Sequence, residues 1–197
     1  MSEETKQPEE EKLSDRDALK VDLYFWLQAL VMALVSLILI FTFIGRIIGV
    51  DGSSMVPTLH HGDMLLLQSI GYEPAQGDVV VLTKESFSDR PIVKRVIAVG
   101  GQTVDIDYET NTVTVDGVAL DEPYINEAMR QLPSEYATHV TVPEGSIFVL
   151  GDNRNNSSDS RKPTIGTVDE RCVLGGARFI LLPFGDFGKV ESISQPR

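Results

Sequence analysis

The first stretch that could do covalent chemistry is Gly52–Leu59, which reads GSSMVPTL. A serine hydroxyl attacks poorly until a base takes its proton, so Ser54 matters only together with a partner. Histidine is the usual base. His60 and His61 follow closely in a Thr-Leu-His-His-Gly-Asp turn, but nearness in sequence sets neither ring on the hydroxyl, and both read as surface polar residues. A neutral lysine serves equally well where burial disfavours its charged form. Lys84, Lys162 and Lys189 sit in polar or turn-like surroundings. Lys94 sits in PIVKRVIAV, Pro91–Val99. Strand alternation there puts Ile92, Lys94, Val96 and Ala98 on one face and Val93, Arg95, Ile97 and Val99 on the other. Pattern alone leaves two readings open: a desolvated base, or a lysine that extends to water from a strand edge.

The third stretch, Gly151–Arg161, reads GDNRNNSSDSR and follows the apolar run Ile147–Leu150. Asp152 with Arg154, and Asp159 with Arg161, offer carboxylate–guanidinium pairs that brace a loop. Ser157 is placed to orient a nearby base. The same composition suits a solvated loop, and Asn155 and Asn156 each begin an N-x-S pattern of low specificity.

These stretches need elements to hold them. Leu23–Ile44 carries no charge. As a helix its 22 residues span about 33 Å, enough for a hydrocarbon core of about 30 Å. The run exceeds a cleavable signal sequence and lacks a following small-residue cleavage site. It predicts a membrane anchor over 23–45, preceded by a polar, disordered tail over 1–22. Lys6, Lys12, Arg16 and Lys20 lie before the span and only Arg46 lies close behind it, which predicts a cytoplasmic tail and an extracytoplasmic domain over 46–197. Beyond the anchor come short β runs: Met64–Gln68, Val79–Thr83, Ile92–Val99, Thr103–Ile106, Thr112–Val115, His139–Val142, Ile147–Leu150 and Ala177–Leu182. Asp116-Gly117 predicts a hairpin turn between Val115 and Val118. Residues 121–138 read as polar and irregular; Phe184 and Phe187, in a Gly-rich turn, either touch the membrane or pack, and such aromatics more often pack. The fold class is mostly β: an antiparallel sheet domain after a single N-terminal transmembrane helix.

Composition narrows the function further. A net charge of −12 argues against nucleic acid as a partner. One cysteine, Cys172, and three unclustered histidines give no basis for a disulfide framework, a metal site or a cofactor.

Taken together and in this order, Ser54-Met55-x-Pro57-Thr58-Leu59, Lys94-Arg95, and Gly151-Asp152-Asn153-Arg154 with Ser157, Asp159, Ser160 and Arg161 resemble the bacterial type I signal peptidases. The likeness spans about residues 24–185 and suits the compact, single-span forms of Gram-positive bacteria. It implies a membrane-anchored serine endopeptidase with Ser54 as nucleophile and Lys94 as general base. Ser157 would hydrogen-bond the lysine amine, Asp159 and Arg161 would pair behind the site, and Asp152 and Arg154 would support the same loop. The implied partners are the lipid bilayer and signal peptides of secretory preproteins, with small residues at −1 and −3 from the cut. Such a peptide would add as a strand near Val50 and Ile92–Val93, with Met55 and Leu59 lining the pockets. Gly52 departs from members that carry a serine there to help hold the oxyanion, and Asn155 stands where aspartate is common. Two other readings compete. One is a self-cleaving Ser/Lys regulator, which lacks room for its DNA-binding module. The other is a catalytically inactive, membrane-tethered β domain that binds peptides or partner proteins.

Overall fold

The computed structural model describes residues 15–39, 45–84, 88–130 and 136–193. The chain divides into two units, Met1–Phe41 and Thr42–Arg197. In the first, helix α1 runs from Asp15 to Leu39. Within it, Leu19–Leu39 is long and apolar enough to cross a membrane, with a mean hydropathy of 1.9. Its large side chains are exposed on every side, Leu23, Trp26, Leu30 and Ile38 among them, as suits a helix whose surroundings are apolar all round. The helix begins within the stretch expected to be a disordered tail. Residues 1–14, with the rest of that tail, and 40–44, with the end of the expected anchor, lie outside the described residues.

The second unit is β. Its strands are β1 (Gly45–Gly49), β2 (Met64–Gln68), β3 (Val79–Lys84), β4 (Ser88–Val99), β5 (Thr103–Asp107), β6 (Thr112–Val115), β7 (Val118–Ala119), β8 (His139–Thr141), β9 (Ser146–Leu150), β10 (Val168–Asp169), β11 (Val173–Leu182) and β12 (Gly188–Lys189). They form two antiparallel sheets. One has the order β1-β2-β11-β3-β4-β9-β10 with β12 on β11, and the other has β7-β6-β5-β8. The expected hairpin is present: Val115 faces Val118, and Asp116 and Gly117 both take positive φ, as a two-residue turn requires. β1, β10 and β12 lie outside the expected strands. Two are two-residue strands, too short for alternation to register, and β1 adjoins the apolar anchor run. Phe184 and Phe187, expected to pack, are 84% and 62% exposed.

β4 is the strand on which the site depends. Residues 93–98 are all buried, and the strand contributes to three apolar clusters. Val93 joins Leu59, Leu65 and Val81; Val96 joins Val80 and Val149; Ile97 and Ala98 join Phe148 and Val104. Strict alternation would have placed Ala98 with Lys94 and Val96. A register shift between Val96 and Ala98, opposite β9, turns Ala98 into the cluster of Ile97 instead. Lys94 lies before that shift, opposite Val80 of β3, and is 3% exposed. The strand-edge reading, with its amine in water, therefore does not hold.

Candidate active site

Ser54 lies in the turn-rich link between β1 and β2. The link is pinned by hydrogen bonds from Leu59 N to Met55 O (2.9 Å) and from Gly62 N to Val50 O (3.0 Å). Met55 and Leu59 point into the core and fix the turn from beneath. Gly52 has φ +98°, a backbone region that side-chain-bearing residues rarely adopt. A serine at this position would have to adopt a strained backbone, which accounts for glycine there.

Lys94 Nζ lies 2.7 Å from Ser54 Oγ and 2.7 Å from the carbonyl oxygen of Val93. Forty residues apart in sequence, the two side chains are brought together by the turn before β2 and the centre of β4. Burial disfavours the ammonium and pushes the Lys94 amine down to about 8. Asp159 and then Asp152 oppose this, but each is already paired with a guanidinium of its own, so desolvation prevails. The neutral form of this amine, about half of the population near pH 8, donates to Val93 O and keeps its lone pair for the Ser54 proton. His60 and His61 are exposed, and His61 Nδ1 receives the Gly52 N–H at 3.3 Å rather than the Ser54 hydroxyl.

A role for this amine as general base predicts a pH profile. Below about pH 8 the rate constant kcat/KM for cleavage is expected to rise about tenfold per pH unit, then level off as Lys94 becomes neutral. Initial rates from pH 5.5 to 10.5 check this. A flat profile would exclude Lys94 as the base, and a midpoint at the ordinary lysine value would exclude burial as what tunes it.

The loop after β9 closes the site from behind. Gly151 permits its approach: a Cβ there would lie 2.6 Å from the Ser54 carbonyl oxygen. Asn153 N donates to that same oxygen at 3.0 Å. Asp159 Oδ1 receives Arg161 Nε at 2.8 Å, and Asp159 Oδ2 receives the Gly151 N–H at 3.1 Å. Arg161 Nη2 in turn donates to Arg154 O at 2.6 Å. In front of the dyad is a cleft of about 180 Å³ lined by Val50, Asp51, Met55, Ile92, Val93 and Ser158.

Residues 23–182, which contain Ser54, Lys94 and the whole of this loop, match the family described as signal peptidase, peptidase S26. The chain belongs to this family. Curated relatives agree in length as well as sequence. Signal peptidase I of Bacillus licheniformis is 33% identical over 192 residues, 92% of this chain and 99% of its own. Signal peptidase I S of Bacillus subtilis is 33% identical over 90% of this chain and 99% of its own. Signal peptidase IB of Staphylococcus aureus is 33% identical over 86% and 94%. A crystal structure of a signal peptidase I from Enterococcus faecalis aligns at 32% identity and a TM-score of 0.44, over 53% of this chain and 97% of that one.

Three expectations about the site are corrected by the geometry. Asp152 does not pair with Arg154. It pairs with Arg95, whose Nε and Nη2 reach Oδ1 and Oδ2 at 2.9 and 2.7 Å, while Arg154 turns outward from the loop to Glu122 at 3.0 Å. Two residues apart on a tight loop, the side chains of Asp152 and Arg154 leave in different directions and find partners on other elements. Ser157 Oγ is buried without a hydrogen-bond partner among the described residues, so it does not hold the lysine amine, which Val93 O and Ser54 Oγ hold instead. Leu59 is fully buried in the core and lines no part of the cleft.

Sequence reading gave no role to four residues that the structure ties to the site. Thr58 Oγ1 donates to Asp152 Oδ2 at 2.5 Å and so ties the Ser54 turn to the loop. Arg95, adjacent to Lys94, carries the pair with Asp152, and its guanidinium lies 4.0 Å from the ring centre of Tyr124. Tyr124 Oη donates to Glu122 Oε1 at 2.8 Å. Glu122 and Tyr124 belong to the stretch read as irregular. The available signal was charge balance: a buried arginine demands a buried carboxylate, and the β unit holds several.

Proposed function

We propose that Ser54 and Lys94 are the nucleophile and base of a peptidase that removes signal peptides from preproteins by acyl transfer. The observation that carries this is the 2.7 Å contact between Ser54 Oγ and an amine that burial brings down to about 8 from the ordinary lysine value. Lys94 Nζ takes the hydroxyl proton as Ser54 Oγ adds to the scissile carbonyl carbon. The Ser54 backbone N–H meets the developing oxyanion, with no hydroxyl available at Gly52. Lys94 returns the proton to the leaving nitrogen as the C–N bond breaks, and the mature protein departs with a new amino terminus. Lys94 then deprotonates a water, which attacks the ester. Ser54 Oγ recovers its proton, and the signal peptide leaves with a carboxylate.

The cleft supports a peptide bound as an added strand. β4 pairs with β3 from Ser88 to Arg95, but with β9 only from Arg95 onward. Among the described residues, Ile92 to Lys94 therefore have one open edge for a substrate backbone. Val50, Met55, Ile92 and Val93 narrow the cleft enough to suit small side chains at −1 and −3. Asp152, Arg154, Asp159 and Arg161 hold the loop, and Ser157 packs between it and Gly151.

Helix α1 anchors the chain in the bilayer, with the N-terminus cytoplasmic and residues 46–197 outside. Confinement to the membrane surface raises the effective concentration of substrates held there. Incubation of the full chain in detergent with a preprotein, followed by sequencing of the new N-terminus, tests the function. A single cut after a small residue at the end of the apolar segment is expected. An intact preprotein would favour the inactive, peptide-binding alternative.

A further inference from the structure

A second, polar cavity of about 210 Å³ lies behind the catalytic loop, lined by Tyr136, Arg154, Asn156, Ser157, Arg161 and Lys162 among others. Ser158 lines both this cavity and the dyad cleft, so the two adjoin. Charge is distributed unevenly among its cations. Arg154 is neutralised by Glu122, and Arg161 by Asp159. Lys162 differs. Its amine donates to Ser158 Oγ at 2.7 Å and, among the described residues, forms no ion pair. The Asn155 and Asn156 amides are already committed to Ala128 O and Ser53 Oγ. Among the described residues the cavity therefore has one unneutralised cation and a hydroxyl whose oxygen that cation occupies and whose proton is free. This is a lining built for an anionic group.

Its place relative to the cut follows from the cleft. Val50, Ile92 and Val93 take the signal-peptide side, as proposed above. Ser158, contributed by the loop rather than by the strands, is left for the residues beyond the scissile bond. We infer that Lys162 and Ser158 form a subsite for an acidic side chain within the first three residues of the mature protein, and so set specificity on the leaving side. Lys162 donates to the substrate carboxylate directly, and Ser158 donates its free proton. The inference rests on the peptidase reading of Ser54 and Lys94, and Lys162 itself takes no part in bond cleavage.

The test uses the full chain in detergent and preprotein-derived peptides that differ only by Asp, Asn or Lys at each of the first three positions after the cut. In the wild type, at one of these positions, kcat/KM for Asp is expected to exceed that for Lys by about fivefold, the scale of one half-exposed ion pair. The Asp/Lys ratio should shrink as salt rises, fall towards one in Lys162→Gln and invert in Lys162→Glu. Ser158→Ala should lower the Asp/Asn ratio without inverting it. Equal cleavage of the three peptides by the wild type, or an equal loss on all three in Lys162→Gln, overturns the subsite. Failure of the wild type to cut even the Asn peptides overturns the peptidase reading and the subsite with it.

Discussion

Ser54→Ala is expected to lower preprotein cleavage by at least about 10⁴-fold, because it removes the hydroxyl that lies 2.7 Å from the Lys94 amine and would form the ester intermediate. Lys94→Met should do the same by a different route. It leaves the nucleophile in place but removes the acceptor 2.7 Å from its hydroxyl. The two variants separate in stability. The folded Lys94 amine is pushed down to about 8 from an ordinary value of 10.5, so at neutral pH the native state holds a buried charge that the unfolded chain holds in water. That cost is fully present below pH 8 and is relieved as pH rises from 8 towards 10.5. It amounts to about 3 kcal/mol. Methionine fills similar volume without the charge, so Lys94→Met should melt higher than wild type at pH 6–7, with the difference shrinking above pH 9. Ser54→Ala should melt close to wild type at every pH. Thermal melts of the three proteins across pH, alongside cleavage assays, check both halves. Wild-type activity in either variant sinks the dyad, and a Lys94→Met protein less stable than wild type at pH 6 sinks the account of how the base is tuned.

Ser54 and Lys94 were legible as candidates through the resemblance of their motifs, whereas strand pattern alone left Lys94 open between two readings. Lys94 interrupts an apolar strand, and a cation there has either a task or a route to water. The strand is buried from residue 93 to 98, which removes the route to water. The face on which Ala98 lies was not legible, since a register shift opposite β9 depends on the partner strand and leaves no mark in β4 itself. The same limit applies to the charges. Asp159 and Arg161 are two residues apart and do pair, so local spacing sufficed. Asp152 and Arg154 have the same spacing, yet each takes a partner from elsewhere: Arg95 lies 57 residues away and Glu122 lies 32 residues away. Spacing ranks candidates for a pair. Only the direction in which each side chain leaves the backbone selects among them, and that direction is set by packing against distant strands. Leu59 illustrates the converse. Its place in the Ser54 motif suggested a pocket, but its apolar side chain anchors the turn from below, so its motif position reflects support rather than contact with substrate.

The unforeseen pair carries the largest stability effect. Arg95 and Asp152 are 1% and 0% exposed, and two hydrogen bonds of 2.9 and 2.7 Å join them. Replacing such a pair with apolar residues can be neutral, but removing one partner strands the other charge in the core at a cost of about 3–5 kcal/mol. Asp152→Ala does this to Arg95. It also releases Thr58 Oγ1, and with it the tie between the Ser54 turn and the loop that carries Asp159. For a unit of this size the midpoint of melting should fall by roughly 10 °C. The exposed pair Asp169–Arg171 is a control with similar geometry, its ions at 2.6 Å but the arginine 90% exposed. Asp169→Ala should shift the midpoint by no more than about 2 °C. Asp152 also helps hold the Lys94 ammonium up, so surviving activity in Asp152→Ala should have its rising limb moved to lower pH, towards a still more readily neutral amine. Structural collapse alone would lower the rate at every pH and leave the midpoint in place. A variant that melts with wild type, or whose limb moves upward, would show that Arg95 and Asp152 do not couple the base to the loop behind it.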